Sequence, residues 1–280
     1  MSKHDLIPDM DSSTRSSREP VAASDRVGTY VYCVVPWERW RNKETSGKVP
    51  IDVRGMGEEG NPVRVVHTED LAALVSDSPR DGCAISRRNL LAHERVIEYA
   101  MASSDVLPVR FGGIASSDQE VHETLLVAQR QRLRELLGLV RGKVELSLKV
   151  LWRGTQLFTE IVAEDPVIRG LRDDLAGGAS FSRRLTLGQM VERAMVRKQE
   201  HEAARLLAAL QPLAAATRAN PAPLDTMVLN AAFLVDRTKL NEFDKAVDQL
   251  TVRDANRLIY RYVGLLPAYS FVSVDPNRQE

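Results

Sequence analysis

The sequence predicts an α+β fold in two domains, each with its own strands and helices. Three observations carry this. Several β-branched or alternating runs read as strands, above all Lys143–Trp152, where Val144, Leu146, Leu148, Val150 and Trp152 alternate with Glu145, Ser147 and Lys149. Between strands lie segments with apolar residues at helical period, two of them opened by capping boxes, Ser117-Asp-Gln-Glu120 and Thr186-Leu-Gly-Gln189. Gly138 and Gly142 separate the first group of elements from the second.

Residues 1–27 combine serines and charges with few bulky apolar side chains, too few to offset ordering entropy, so a disordered tail is expected. Order begins at Thr29–Val35, a β-branched and aromatic run that Pro36 ends because proline cannot donate to a ladder. A charged, glycine-containing loop follows to Asn61. Pro62–His67 and Leu71–Ser76 read as two strands joined by a tight turn at Thr68–Asp70. Leu90, Ile97 and Met101 mark a helix over 87–102, and Val106–Val109 is a short strand whose proline suits an edge. The Ser117 box opens a helix expected to stop at Gly138.

The second half starts with the Lys143 strand, one face buried and the other wet. Asp165-Pro166 opens a helix to Leu175, closed by Gly177-Gly178, and the Thr186 box opens a long one that Pro212 ends. Asn220–Pro223 reads as a linker, 226–235 as a strand, 239–250 as a helix and 257–263 as a strand, with 269–274 extended. Strand, helices, strand, helix, strand matches a modified ferredoxin-like plait with inserted helices. The expected domains are residues 28–141 and 142–280.

Composition narrows the function. The 280 residues carry 38 basic and 38 acidic side chains, a formal net charge of zero, which removes the global field expected of a nucleic-acid or anionic-membrane binder. No apolar run approaches bilayer length, and Cys33 and Cys83 form no C-x-x-C pair, so a reducing, cytoplasmic setting without disulfides is expected.

The candidate chemical motifs weaken on inspection. Gly55-Met-Gly-Glu-Glu-Gly60 matches G-x-G-x-x-G, but a strand follows it where a phosphate site needs a helix N-terminus, and its glutamates repel phosphate. His93-Glu94 and His201-Glu202 begin like H-E-x-x-H, yet the fourth position on is Ile97 or Arg205, so no metal is expected. His93, in line with Leu90 and Ile97, reads as a hydrogen-bonded core histidine. Gly178–Ser182 falls one residue short of a nucleophile elbow. The basic clusters Arg183, Arg184, Arg193, Arg197, Lys198 and Arg130, Arg132, Arg134 alternate with acids and read as solvated helix faces. Cys33 reads as an inert buried thiol. Leu107-Pro-Val-Arg-Phe-Gly-Gly113 is the least ordinary stretch: Phe111 is suited to plug the core while Arg110 pairs with an acid such as Glu94, or the same loop is suited to binding.

Four blocks in order, Leu91–Val96, Val106–Gly112, Lys143–Trp152 and Gly264-Leu-Leu-Pro-Ala-Tyr-Ser-Phe-Val272, with Tyr30-Val-Tyr32 and Leu71–Ser76, resemble the gas vesicle protein L/F family (GvpL/GvpF) from about Thr29 to Val274. The last block departs from the family pattern: Leu265 and Leu266 stand for proline and tryptophan, and Ala268 for proline. The resemblance implies two α+β domains, the second modified ferredoxin-like, in a non-enzymatic accessory protein of gas vesicles, the gas-filled, protein-walled compartments that give cells buoyancy. It implies the apolar wall protein and other accessory proteins as partners, with no cofactor, nucleic acid, membrane or small-molecule substrate. An assembly factor of this kind is expected to shield the wall protein's sticky apolar face or to hold a nucleus of its subunits. The expected interaction surface is Leu107, Pro108, Arg110, Phe111, Leu265, Leu266, Pro267, Tyr269 and Phe271. The competing expectation is a ligand-sensing or enzymatic α+β protein with a pocket around His93, Glu94 and Arg110.

Overall fold

The computed structural model describes residues 27–41, 51–57, 59–176 and 181–276. The expected tail lies outside these except for Val27, and so do Gly177-Gly178 and Ser180. In chain order the first half contains β1 (Val27–Pro36), α1 (Glu38–Arg41), β2 (Arg64–His67), β3 (Leu71–Pro79), α2 (Arg87–Met101), β4 (Leu107–Pro108) and β5 (Ile114–Ala115). It ends with α3 (Asp118–Glu120), a π-helical turn over Val121–Val127 and α4 (Arg130–Val140). The second half contains β6 (Lys143–Trp152), α5 (Gln156–Glu164), α6 (Pro166–Ala176), α7 (Phe181–Leu210), β7 (Ala216–Ala219), β8 (Met227–Asp236), α8 (Leu240–Arg253) and β9 (Leu258–Leu266). Two antiparallel sheets result, ordered β2-β3-β1-β4 with β5 also on β1, and β7-β8-β6-β9.

The first sheet is covered on both faces, which is why β1 reads as an unbroken apolar run rather than an alternating one. One face, with Val31, Val34, Leu71, Ala73 and Val75, meets Val121, Leu125, Leu126 and Leu133. The other, with Tyr30, Tyr32, Cys33 and Val35, meets Val96, Ile97 and Ala100 of α2. Tyr32 and Cys33 are neighbours on the same face because the register with β3 slips between Val31 and Cys33. Such a bulge inverts the alternation beyond it. Under the second sheet, β6, β8 and β9 pack Leu148, Val150, Phe233 and Leu258 on Ile161, Ile168, Leu206, Phe243 and Val247 from α5–α8. An ion network ties the same layer: Arg257 bridges Glu160 and Glu202, and Arg205 bridges Glu202 and Asp254, all at 2.7 Å. Burial alone pushes the Glu160 carboxyl up, but hydrogen bonds from Arg257 and Lys198 hold it down to about 2.

Several sequence expectations are corrected. Strand β1 starts at Val27, before Thr29. Short α1 interrupts the loop after Pro36, and α5 and β7 lie where no element was expected. Ser117 does cap its helix, accepting from the Glu120 N–H, while Glu120 accepts from Ser116. That helix does not stop at Gly138. It passes through the π-turn and runs to Val140, and Gly142, at φ 66°, makes the turn into β6. Thr186 caps nothing, because α7 already includes it and its hydroxyl donates back to the Ser182 carbonyl. Residues 269–271 turn instead of extending, with the Phe271 and Val272 N–H groups on the Ala268 carbonyl. Glu145, on the expected wet face of β6, is 5% exposed.

The halves meet through residues 267–276, which follow β9 and return to the first sheet. Ala268, Val272 and Val274 join the core of β1, β3 and α4 together with Leu234 of β8. Val274 bridges Val109 in parallel, and Arg132 and Gln129 donate to the carbonyls of Ser273 and Asp275.

Two glycine substitutions test this packing. Gly138→Ala, in a helix interior with open space around the added methyl, should raise stability by about 0.4–1 kcal/mol. Gly55→Ala drives a Cβ into the Tyr32 hydroxyl, which holds Ser76 Oγ at 2.8 Å and the Met56 N–H at 2.9 Å, and should cost about 1–3 kcal/mol. Urea unfolding reads both. The opposite sign at Gly138 would restore it as a helix stop.

Candidate functional site: a polar joint and the cleft beside it

The two segments expected to bind partners, 107–111 and 265–271, converge. Strand β1 carries Tyr30, α2 carries His93 and Glu94 one position apart, and the 267–276 segment carries Tyr269. Tyr30 Oη lies 2.9 Å from His93 Nδ1, His93 Nε2 lies 3.1 Å from Tyr269 Oη, and Tyr269 donates to Glu94 Oε1 at 3.1 Å. The Gly112 N–H donates to Tyr30 Oη at 3.0 Å. Proton counting assigns the tautomer. Tyr269 spends its proton on Glu94, so its oxygen accepts from His93 Nε2–H; Nδ1 is then the acceptor for Tyr30, whose own oxygen takes Gly112. Each group in the chain is satisfied with His93 neutral.

Electrostatics agree with that assignment. His93 is 1% exposed, and burial lowers its pKa from 6.5 to about 4. Burial also raises the Glu94 carboxyl and both tyrosine hydroxyls. The rings pack as well as bond: His93 meets Tyr30 and Phe111 edge-on at centroid separations of 5.7 Å.

The next residue, Ser270, faces the other sheet. Its N–H donates to Glu145 Oε2 at 2.8 Å and its hydroxyl to Oε1 at 2.7 Å. Burial raises the Glu145 carboxyl, and these two bonds oppose the rise. Arg218 of β7 donates to the Ser270 carbonyl. Adjacent residues thus tie one segment to both sheets.

Beside this joint a cleft of about 340 Å³ is lined by Arg110, Arg218, Asn220, Tyr269 and Ser270. Of the nine expected surface residues, Leu107, Pro108 and Pro267 are buried, Phe111, Leu266, Tyr269 and Phe271 are half-buried, and Arg110 and Leu265 are exposed. Leu265, at φ 57° and 57% exposure, sits where β9 bulges against β6, between the Val263–Ser147 and Leu266–Glu145 pairs. Glu94 is engaged by Tyr269, and among the described residues Arg110 makes no ion pair with it. His93, with both nitrogens occupied, does not line the cleft. Sequence reasoning missed Tyr30, Glu145, Arg218 and Ser270. The first had a signal, since a tyrosine in a buried strand needs a partner for its hydroxyl.

The other singled-out motifs take structural roles. Gly55 and Asn61 close a turn by a 2.8 Å backbone bond before β2. Cys33 is buried, which pushes its thiol up, and Cys83 is half-buried beside Ser78 Oγ at 3.0 Å; both are free. Arg130 and Arg134 pair with Asp70, and Lys198 with Glu160 and Glu164.

Fold and site together define an α+β protein of two antiparallel sheets whose buried titratable groups are spent on one another at the joint. The family model for gas vesicle synthesis protein GvpL/GvpF matches residues 28–273. Gas vesicle protein F of a Streptomyces species is 34% identical over 250 residues, spanning 88% of this chain and 100% of that protein. Gas vesicle protein F of a Nostoc strain is 26% identical over 251 residues, spanning 89% and 99%. The crystal structure of the gas vesicle protein GvpF from Anabaena sp. PCC7120 matches with a TM-score of 0.75 at 25% identity, covering 89% of this chain and 99% of that one. The chain belongs to the GvpL/GvpF family of gas vesicle synthesis proteins.

The buried neutral histidine fixes a pH dependence. A group whose folded pKa lies below its unfolded value contributes stability that is present above the unfolded pKa and lost as pH falls through the folded one. For His93 that window runs from 6.5 down to about 4. Glu94, raised, acts with the opposite sign, so the comparison is wild type against His93→Gln at each pH. The stability difference should shrink by about 2–3 kcal/mol across the window. A pH-independent difference would mean His93 is not held neutral.

Proposed function

We propose that this protein acts in gas vesicle assembly as a non-enzymatic accessory factor that binds the apolar wall protein and other accessory proteins, in the cytoplasm and at the growing vesicle. Family membership supports the gas vesicle role. The observation that carries the binding reading is Leu265, a large apolar side chain held exposed on a left-handed backbone, a conformation that costs a non-glycine residue on the order of 1–3 kcal/mol. Arg110 and the half-buried Phe111, Tyr269 and Phe271 complete the surface, while Leu107, Pro108 and Pro267 support it from below. The occupied nitrogens of His93 argue against acid–base chemistry in a pocket around His93, Glu94 and Arg110.

The same reading takes residues 28–141 and 142–280 as two domains docked on the shared core. The order β7-β8-β6-β9, with α5–α7 leading into β7 and α8 into β9, supports a modified ferredoxin-like plait for the second.

Tagged full-length protein should retain the wall protein in a pull-down, and Leu265→Asp should weaken retention roughly 10- to 100-fold, the worth of one buried leucine. Relief of strain keeps that variant folded by circular dichroism. Folded wild type that retains no gas vesicle protein would overturn the proposal.

A further inference from the structure

The second sheet has two unlike faces. Helices α5–α8 cover one. The other is covered at one end, where Glu145 lies under Ser270 and Leu234 enters the shared core, and along β8, where Ala232 and Met227 are buried and Asn230 donates to the Pro221 carbonyl; its exposed part lies on β6 and β9 and at Arg218. Register fixes what the remainder presents, because residues directly opposite in an antiparallel pair share a face. Lys149 of β6 lies opposite Asn230 of β8 and Arg261 of β9. In the next row Ser147 lies between Ala232 and Val263, and Arg218 of β7 lies opposite Ala232. Leu151 pairs with Ile259 on the far side.

Lys149, Arg218 and Arg261 are all exposed, as are Val263 at 53% and Ile259 at 37%. Among the described residues none of the three cations makes an ion pair, although Arg218 donates to the Ser270 carbonyl and its charge draws the Glu145 carboxyl down; Glu145, on this face of β6, is itself buried and bonded. Lys149 and Arg261 stand directly opposite with like charge, an arrangement that destabilises a sheet on its own and that a carboxylate lying across both would relieve. From β7 to β9 the cationic band crosses three inter-strand spacings, about 14 Å, a width that four or five residues of extended chain cover. Arg110 continues the band across the cleft that it shares with Arg218.

We propose that this open face is a docking surface for an acidic segment of a partner protein with apolar side chains between its carboxylates. The carboxylates lie along the Lys149–Arg261–Arg218 band, and the apolar side chains rest on Ile259 and Val263. Nucleic acid is the other polyanion to weigh. Its single strands stack on aromatic platforms, and the tyrosines of β9 point the other way: Tyr260 and Tyr262 donate to Asp254 and Asp244, each at 2.6 Å. The inference does not depend on wall-protein binding.

The test is fluorescence anisotropy of the full chain with short labelled probes: a Glu/Leu peptide repeating Glu-Glu-Leu-Leu, which in extended form carries both residue types on each face, the same repeat with Ser for Leu or with Lys for Glu, and a single-stranded RNA. The Glu/Leu peptide should bind best, with an affinity that falls as salt rises. K149E/R261E should weaken it at least about tenfold, whereas R87E/R88E, the same charge change at the start of α2, should not. Val263→Ser should weaken it while leaving the salt dependence in place. Equal binding to wild type and K149E/R261E, equal weakening by R87E/R88E, or tighter binding of RNA than of the Glu/Leu peptide would overturn the proposal.

Discussion

The arrangement of this protein depends on two neighbouring side chains that face opposite ways. Tyr269 reaches into the first half and bonds His93 and Glu94; Ser270 reaches into the second and bonds Glu145 through both its N–H and its hydroxyl. His93 and Glu145, at 1% and 5% exposure, have little water to take the place of these partners, so breaking either contact leaves a buried polar group poorly satisfied. The apolar residues around them, Ala268, Val272 and Val274, supply hydrophobic area. The polar pair supplies register, holding the return segment at one position along both sheets.

Register at that joint sets what lies around it. The cleft lined by Arg110, Arg218 and Tyr269 exists because the Arg110 loop and β7 are brought to either side of the segment. The exposed Leu265 and the open cationic face of the second sheet lie on the strands that lead into it. A surface assembled this way needs no moving part and no reactive group. That agrees with the accessory role proposed for this member of a family described by gas vesicle synthesis.

Much of this was legible in the chain. The Lys143–Trp152 alternation gave β6 its bounds, Ser117 and Asp165 capped as read, and His93 proved to be a bonded core residue. What failed did so where tertiary contacts override local pattern. Glu145 reads as solvent-facing because alternation reports only which face a residue takes, not that a distant segment covers that face. Gly138 reads as a stop because glycine is costly inside helices, yet the π-turn before it and the packing of Leu133 and Val140 carry the helix past it. The bulge at Tyr32 leaves no trace in composition, although it puts Tyr30 and Cys33 on one face. The joint itself joins residues 176 positions apart and has no local signature.

Differential scanning calorimetry of wild type against the Tyr269→Phe/Ser270→Ala double variant tests the central claim most directly. Wild type should unfold in one cooperative transition, and the double variant in two separated ones, as the Tyr269 and Ser270 hydroxyl bonds that fix the segment between the sheets are lost. A double variant that unfolds in a single transition at the wild-type temperature would contradict the account.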